Sequence, residues 1–171
     1  DVAKIGIHES ILLKPAALSA EEFEIMKTHT LIGAAILQDS EDELLMVAHT
    51  IALCHHERWD GSGYPRGLSG ESVPLVGRLV GLVDAFDAMC SHRPYRRALM
   101  VSDACETIRS QRGTQFDPYL ADTLLSHLPA VLEIREIMNA RAGTDDLPYA
   151  CARGPERGLS VDAPLCADEC Q

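Results

Sequence analysis

The chain has 171 residues, 46% hydrophobic and 24% charged, with a formal net charge of −11, which is enough sequence for one domain with its own core plus a tail. The acidic surplus argues against a general binder of nucleic acid or anionic membrane, since such binding begins with clustered Lys and Arg; a small phosphorylated ligand needs only a local basic patch. The apolar stretches, 44–54 among them, are too short and too interrupted to cross a bilayer, and without a signal peptide the expected location is the cytoplasm.

In chain order, Ser19-Ala20-Glu21-Glu22 reads as a capping box, so a helix is predicted over residues 20–37. Ser40 and Glu43 repeat the device ahead of "LLMVAHTIALCHHE", a second helix ending near His56. Gly61, Gly63, Pro65, Gly67 and Gly70 then make a loop. Pro74 suits the first turn of a third helix, "PLVGRLVGLVDAFDAMCS". Ser102 is expected to cap a fourth that stops at Gly113. Asp117-Pro118 opens a fifth, broken near Pro129 and resuming to about Asn139. No strand is predicted, and residues 142–171 lose apolar periodicity and read as a disordered tail behind a domain of residues 1–141. Cys54, Cys90 and Cys105 lie in helical patterns and Cys151, Cys166 and Cys170 in the tail, with no CxxC, so buried or free thiols are expected. The chain begins with Asp rather than Met, and is expected to be a fragment.

Several polar side chains fall where hydrocarbon is the norm. Ile25, His29, Ile32 and Ile36 share helical spacing, which sets His29 in an apolar stripe, either as a core histidine with one hydrogen bond or as a ligand. Asp84, among Val80, Val83, Ala85, Phe86 and Ala88, is expected to be buried in a salt bridge, protonated or bound to a cation. Consecutive helical residues point about 100° apart, so His55 and His56 can face one metal only where the helix loosens; the glycine-rich loop begins just after them. Imidazole and carboxylate together suit Zn, Mn or Fe. His49, about 10 Å back along the helix axis, reads as a packing or surface residue, and His8, His92 and His127 have no such company.

"DVAKIGI" at 1–7, "MKTHTLIG" at 26–33, "HHERWDGSGYP" at 55–65, "VDAFDAM" at 83–89, "RPYR" at 93–96 and "GTQFDP" at 113–118 together resemble the HD-GYP domains, a branch of the HD phosphohydrolases, over roughly residues 1–125. The resemblance implies an all-α HD-type helical bundle with a glycine-rich GYP loop, and a metal-dependent phosphodiesterase of the bacterial messenger cyclic di-GMP. It further implies that Asp1 is the aspartate of the His-Asp pair and bridges two metals. By the same likeness, His29, His55 and His56 complete one metal position and Asp84 serves the other. Lys4 resembles the lysine near the scissile phosphate, a catalytic role shared with Asp1. Arg93 and Arg96 match the segment that grips substrate phosphates, and Gly63, Tyr64 and Pro65 are the GYP itself, assigned to the substrate loop and partner contacts.

The chemistry so implied rests on two divalent metals, Fe or Mn, which share a carboxylate, acidify water and offset charge growing on the phosphorus-bound oxygens. The family's other ligands would precede Asp1, so this chain alone is expected to hold at most one metal. Ala3 stands where the family usually has Gly, and His8 where it often has Pro. The alternatives are a degenerate HD-GYP sensor or adaptor that binds a ligand or partner protein, and a broader HD-type nucleotide phosphohydrolase. Partners implied are the cyclic dinucleotide, an N-terminal receiver or sensor domain, diguanylate-cyclase-type proteins and a second copy in a homodimer, with no DNA or RNA.

Overall fold

The computed structural model describes residues 2–92 and 97–142, whose regular elements are all helices, without a strand; an isolated bridge joins Arg112 and Phe116. A 3-10 helix, Val2–Gly6, leads into α1 (Glu9–Leu12), α2 (Ala20–Lys27), α3 (His29–Leu37), α4 (Glu43–Cys54), α5 (Leu75–Cys90), α6 (Val101–Ser110), α7 (Pro118–Ser126) and α8 (Leu128–Ala142). The expected all-α bundle is what forms. Residues 1–125 make one compact unit and residues 126–171 a second, to which α8 belongs. No helix among the described residues is long and apolar enough to cross a membrane.

Local chemistry sets most of the helix ends. The capping box is present in full, with Ser19 Oγ accepting from Glu22 N and the Glu22 carboxylate accepting from Ser19 N. The helix it starts does not run to residue 37. At Thr28 the hydroxyl donates to Ile25 O at 2.6 Å, a side-chain bond that competes with the helical ladder, and α3 begins anew at His29. Ile25 and Ile36, expected on the core side, are 46% and 55% exposed. The buried face of α3 is instead His29, Thr30, Gly33 and Ala34. Asp42 caps α4 by accepting from Leu44 N and Leu45 N, while the expected cap, Ser40, accepts from Asp42 N. Met100 holds the N-cap position of α6 and Ser102 lies inside the helix, which ends three residues ahead of Gly113. The predicted break near Pro129 falls at His127, with Pro129 in the first turn of α8, where a missing N–H costs no helical bond. Of the expected tail, 142–171, only Ala142 at the end of α8 lies within the described residues.

Small residues let the site-bearing helices approach closely. A Cβ on Gly33 would lie 3.2 Å from the Ala52 methyl and 3.4 Å from that of Ala3, so α3 nests between α4 and the 3-10 helix. On α5, a Cβ at Gly77 would sit 2.8 Å from Cys54 Cβ, and one at Gly81 only 2.5 Å from His55 O. Ala34, Leu53, Cys54 and Val73 form a buried cluster beneath, with Leu68 of the loop packed against it. Leu82, Phe86 and Met89 of α5 and Ala104, Cys105 and Ile108 of α6 are buried as well. Cys54, Cys90 and Cys105 are buried thiols outside any disulfide, as expected.

Candidate metal centre

Three imidazoles meet where two helix ends and a loop converge. His29 opens α3, His55 caps the C-terminus of α4, and His56 is the first residue beyond it, where the helix has already loosened. Ring centroids lie 5.6 Å apart for His29–His55, 5.1 Å for His29–His56 and 4.1 Å for His55–His56. One donor nitrogen from each falls within 4.8 Å of the others. His29 and His55 are only 2% and 8% exposed.

Protonation follows from the same geometry. His29 Nδ1 is 2.7 Å from Met26 O, and His55 Nδ1 is 2.8 Å from Ile51 O. A carbonyl only accepts, so each Nδ1 carries the proton and each Nε2 keeps its lone pair. Burial pushes all three imidazoles below their usual value, His56 to about 2 with the neighbouring His55, His29 and Lys4 charges adding to the effect. Backbone hydrogen bonds to His29 and His55 act in the opposite direction without reversing it. Neutral imidazole is the form that binds a cation. Three converging imidazoles, two of them buried with their tautomer fixed from behind and the third half-buried, therefore fit a transition metal well.

Asp84 requires a correction. It is exposed, not set in the core as its apolar neighbours suggest, because α5 presents only one stripe to the bundle, including Leu82, Phe86 and Met89. Asp84 follows Gly77 and Gly81 at helical spacing on the face pressed to α4. Its charge acts on His55 and Tyr64, but its carboxylate is not within the three-histidine spacing. Lys4, on the 3-10 helix, is half-buried and its charge is felt at His29 and His56. Asp1, Arg93 and Arg96 lie outside the described residues.

The GYP loop covers one side of the cluster. Gly63 has no space for a side chain: a Cβ would lie 2.4 Å from Arg58 N, 2.6 Å from Glu57 Cα and 2.6 Å from His56 O, all of them backbone or backbone-bound atoms. Tyr64 N donates to His56 O, and the Tyr64 ring stacks on His56 at 4.8 Å and 23°. Burial, followed by the Asp84 charge, raises the phenol's pKa, so the hydroxyl stays protonated. Pro65 follows Tyr64 through a cis peptide bond and is half-buried.

Sequence reasoning passed over the residues that hold this loop. Glu57 is 8% exposed, and its two carboxylate oxygens accept from Arg66 N at 2.8 Å and Leu68 N at 3.0 Å. Arg78 of α5 donates to Val73 O, pairs with Asp117 and lies over the Trp59 ring. Asp117 also caps α7 through Tyr119 N. Trp59 N and Asp60 N donate to Gln115 O and Thr114 O. An acid directly after "HH" within a glycine-rich loop was the available signal for Glu57.

A family model described as the HD domain matches residues 3–120. The chain belongs to the HD domain family. Its HD-GYP branch is supported by the relatives this HD-GYP domain resembles. It is 49% identical over 125 residues to a cyclic di-GMP phosphodiesterase of Thermotoga maritima, covering 73% of this chain and 34% of that protein. It is 47% identical to a cyclic di-GMP phosphodiesterase response regulator of Xanthomonas campestris, covering 73% and 33%. A 3'3'-cGAMP-specific phosphodiesterase of Vibrio cholerae is 42% identical over 135 residues, with 79% and 26% covered. The chain thus spans about a third or less of the length of these curated relatives.

Proposed function

We propose that this HD-GYP domain serves a longer protein as a metal-dependent phosphodiesterase of cyclic di-GMP. The observation that carries the reading is the convergence of His29, His55 and His56, all held neutral and the first two buried, beneath the GYP loop. The relatives' names support the substrate, a cyclic dinucleotide.

In this reading His29, His55 and His56 hold one divalent cation together with Asp1. Asp84 serves a second, whose remaining ligands come from elsewhere in the longer protein, and Fe or Mn suits the mixed nitrogen and oxygen donors. Such cations supply Lewis acidity, which offsets phosphoryl charge and acidifies water. The protein's own groups do the rest. Lys4, Arg93 and Arg96 donate charge-assisted hydrogen bonds to phosphate oxygens, fixing the reacting ester and stabilising its growing charge. In the same reading Lys4 also assists the leaving oxygen. Gly63, Tyr64 and Pro65 form the wall against which the ligand lies, with the protonated Tyr64 hydroxyl as a neutral donor.

The test uses the full-length protein, loaded anaerobically with Fe or Mn and given cyclic di-GMP or 3'3'-cGAMP, with products separated by chromatography. Hydrolysis of cyclic di-GMP is expected, abolished in the His55→Ala, His56→Ala double variant. Asp84→Asn should reduce turnover more than substrate binding, and Arg93→Ala should chiefly weaken binding. Tight binding without hydrolysis would overturn the enzyme reading in favour of a sensor. Preference for 3'3'-cGAMP would overturn the substrate assignment alone.

A further inference from the structure

The three histidines are not held alike. His29 and His55 are each fixed by a carbonyl on Nδ1, the usual way a protein orients a ligating imidazole. No hydrogen bond holds the His56 ring among the described residues; what touches it flat is Tyr64, stacked at 4.8 Å and 23°. The Tyr64 ring is backed in turn. Phe23 of α2 meets it edge-on at 6.1 Å and 83°, and Lys27 Nζ lies 4.9 Å from the Phe23 centroid and 5.6 Å from that of Tyr64. Glu24 holds Lys27 there through a 2.7 Å ion pair. The backbone closes the unit from the other side, with Tyr64 N donating to His56 O and Gly63 packed against the backbone of residues 56–58.

We propose that Tyr64 is a positioning residue that sets the ring plane of His56 by stacking, and that the column Phe23–Tyr64–His56 makes the GYP loop part of the metal site's support. The inference rests on the metal reading of the three histidines, and deepens it. Stacked rings favour an offset, near-parallel arrangement, which fixes an imidazole's plane but not its tautomer. The loop therefore couples to cation affinity through a face contact. Nothing here needs the Tyr64 hydroxyl, which separates this role from a hydrogen-bonding contact to substrate. Lys27 and Phe23 limit how far Tyr64 can swing away from His56.

The experiment is Co2+ binding to the 171-residue chain by calorimetry, with the visible Co2+ spectrum as an independent report on ligand geometry and thermal melting of the metal-free proteins as a check on folding. Tyr64→Phe keeps the ring and should bind within about threefold of the wild type, whereas Tyr64→Leu and Tyr64→Ala should weaken binding about 10–100-fold, the range typical for lost support of a ligand. The spectrum of the two ringless variants should change and that of Tyr64→Phe should not. Phe23→Leu should give an intermediate loss. If Tyr64→Ala does not fold, the Phe and Leu variants decide: equal affinity in those two overturns the proposal, as does a loss in Tyr64→Phe matching that of Tyr64→Leu. A wild-type chain that takes up no Co2+ would instead overturn the metal reading beneath it.

Discussion

Replacing Gly81 by alanine adds one methyl group between α5 and the end of α4. The new Cβ would lie 2.5 Å from His55 O, about 0.9 Å inside an ordinary contact of 3.4 Å, and the obstructing atom is backbone, with no rotamer to yield. Two effects oppose each other. Alanine is favoured over glycine in a helix interior by about 0.8–1.0 kcal/mol, while overpacking a close contact costs about 1–3 kcal/mol. The net expectation is a destabilisation of up to about 2 kcal/mol. The larger consequence falls on the site, because α5 can relieve the clash only by moving Asp84 and His55 apart on the order of 1 Å, enough to disturb a metal or catalytic geometry. Gly6→Ala is the control, since its Cβ would meet only side-chain atoms, Ile32 Cδ1 at 3.2 Å and Cγ2 at 3.4 Å. Urea denaturation of both variants and the wild type, read with Co2+ binding, tests the reasoning. A Gly81→Ala protein more stable than the wild type by about the helix-propensity gain, with unchanged Co2+ affinity, would refute the claim that this glycine sets the α4–α5 distance.

Two other outcomes are expected. Burial lowers the folded-state pKa of His56 to about 2 and shifts His29 and His55 downward, so the unfolded chain binds more protons below its ordinary value near 6.5. This contribution to stability is fully present above pH 6.5 and is lost as the pH falls towards the folded value, by on the order of 2 kcal/mol at pH 5 for His56 alone. Metal-free protein should melt at progressively lower temperature from pH 7 to pH 5, more steeply than a His56→Gln variant; parallel curves would contradict the assignment. Glu57→Gln replaces one of two accepting oxygens with an N–H2 aimed at a backbone N–H, so a loss of about 1–3 kcal/mol is expected in urea, with faster amide exchange at Arg66 and Leu68. Exchange unchanged at both positions would show that Glu57 does not hold the loop.

Features encoded within a few neighbouring residues were legible in the sequence. Ser19 and Glu22 announce a helix start because the bonds they make are three residues long. The glycines after His56 announce a loop, and the paired histidines at a helix end announce a place where two imidazoles can turn to one point. The ordered motifs carried the family, since their joint occurrence is specific where each alone is not.

What the tertiary structure decided was which faces meet. Apolar spacing placed Ile25 and Ile36 in the core and Asp84 among hydrocarbon, yet all three are exposed. A helical pattern says which residues share a side; it does not say whether another element covers that side, or where one helix gives way to the next, as at Thr28. Asp42 outcompetes Ser40 as a cap for a related reason, because either residue can cap and chain direction selects one. Glu57, Arg78 and Tyr64 gain their roles from partners 8–41 positions away in the chain, contacts that local sequence does not specify. The sequence by itself determined the kinds of donor and the helix ends that bear them; only the packing of α5 against α4, allowed by Gly77 and Gly81, decided what stands beside the three histidines, because distance between helices is set by the side chains that are missing at their crossing.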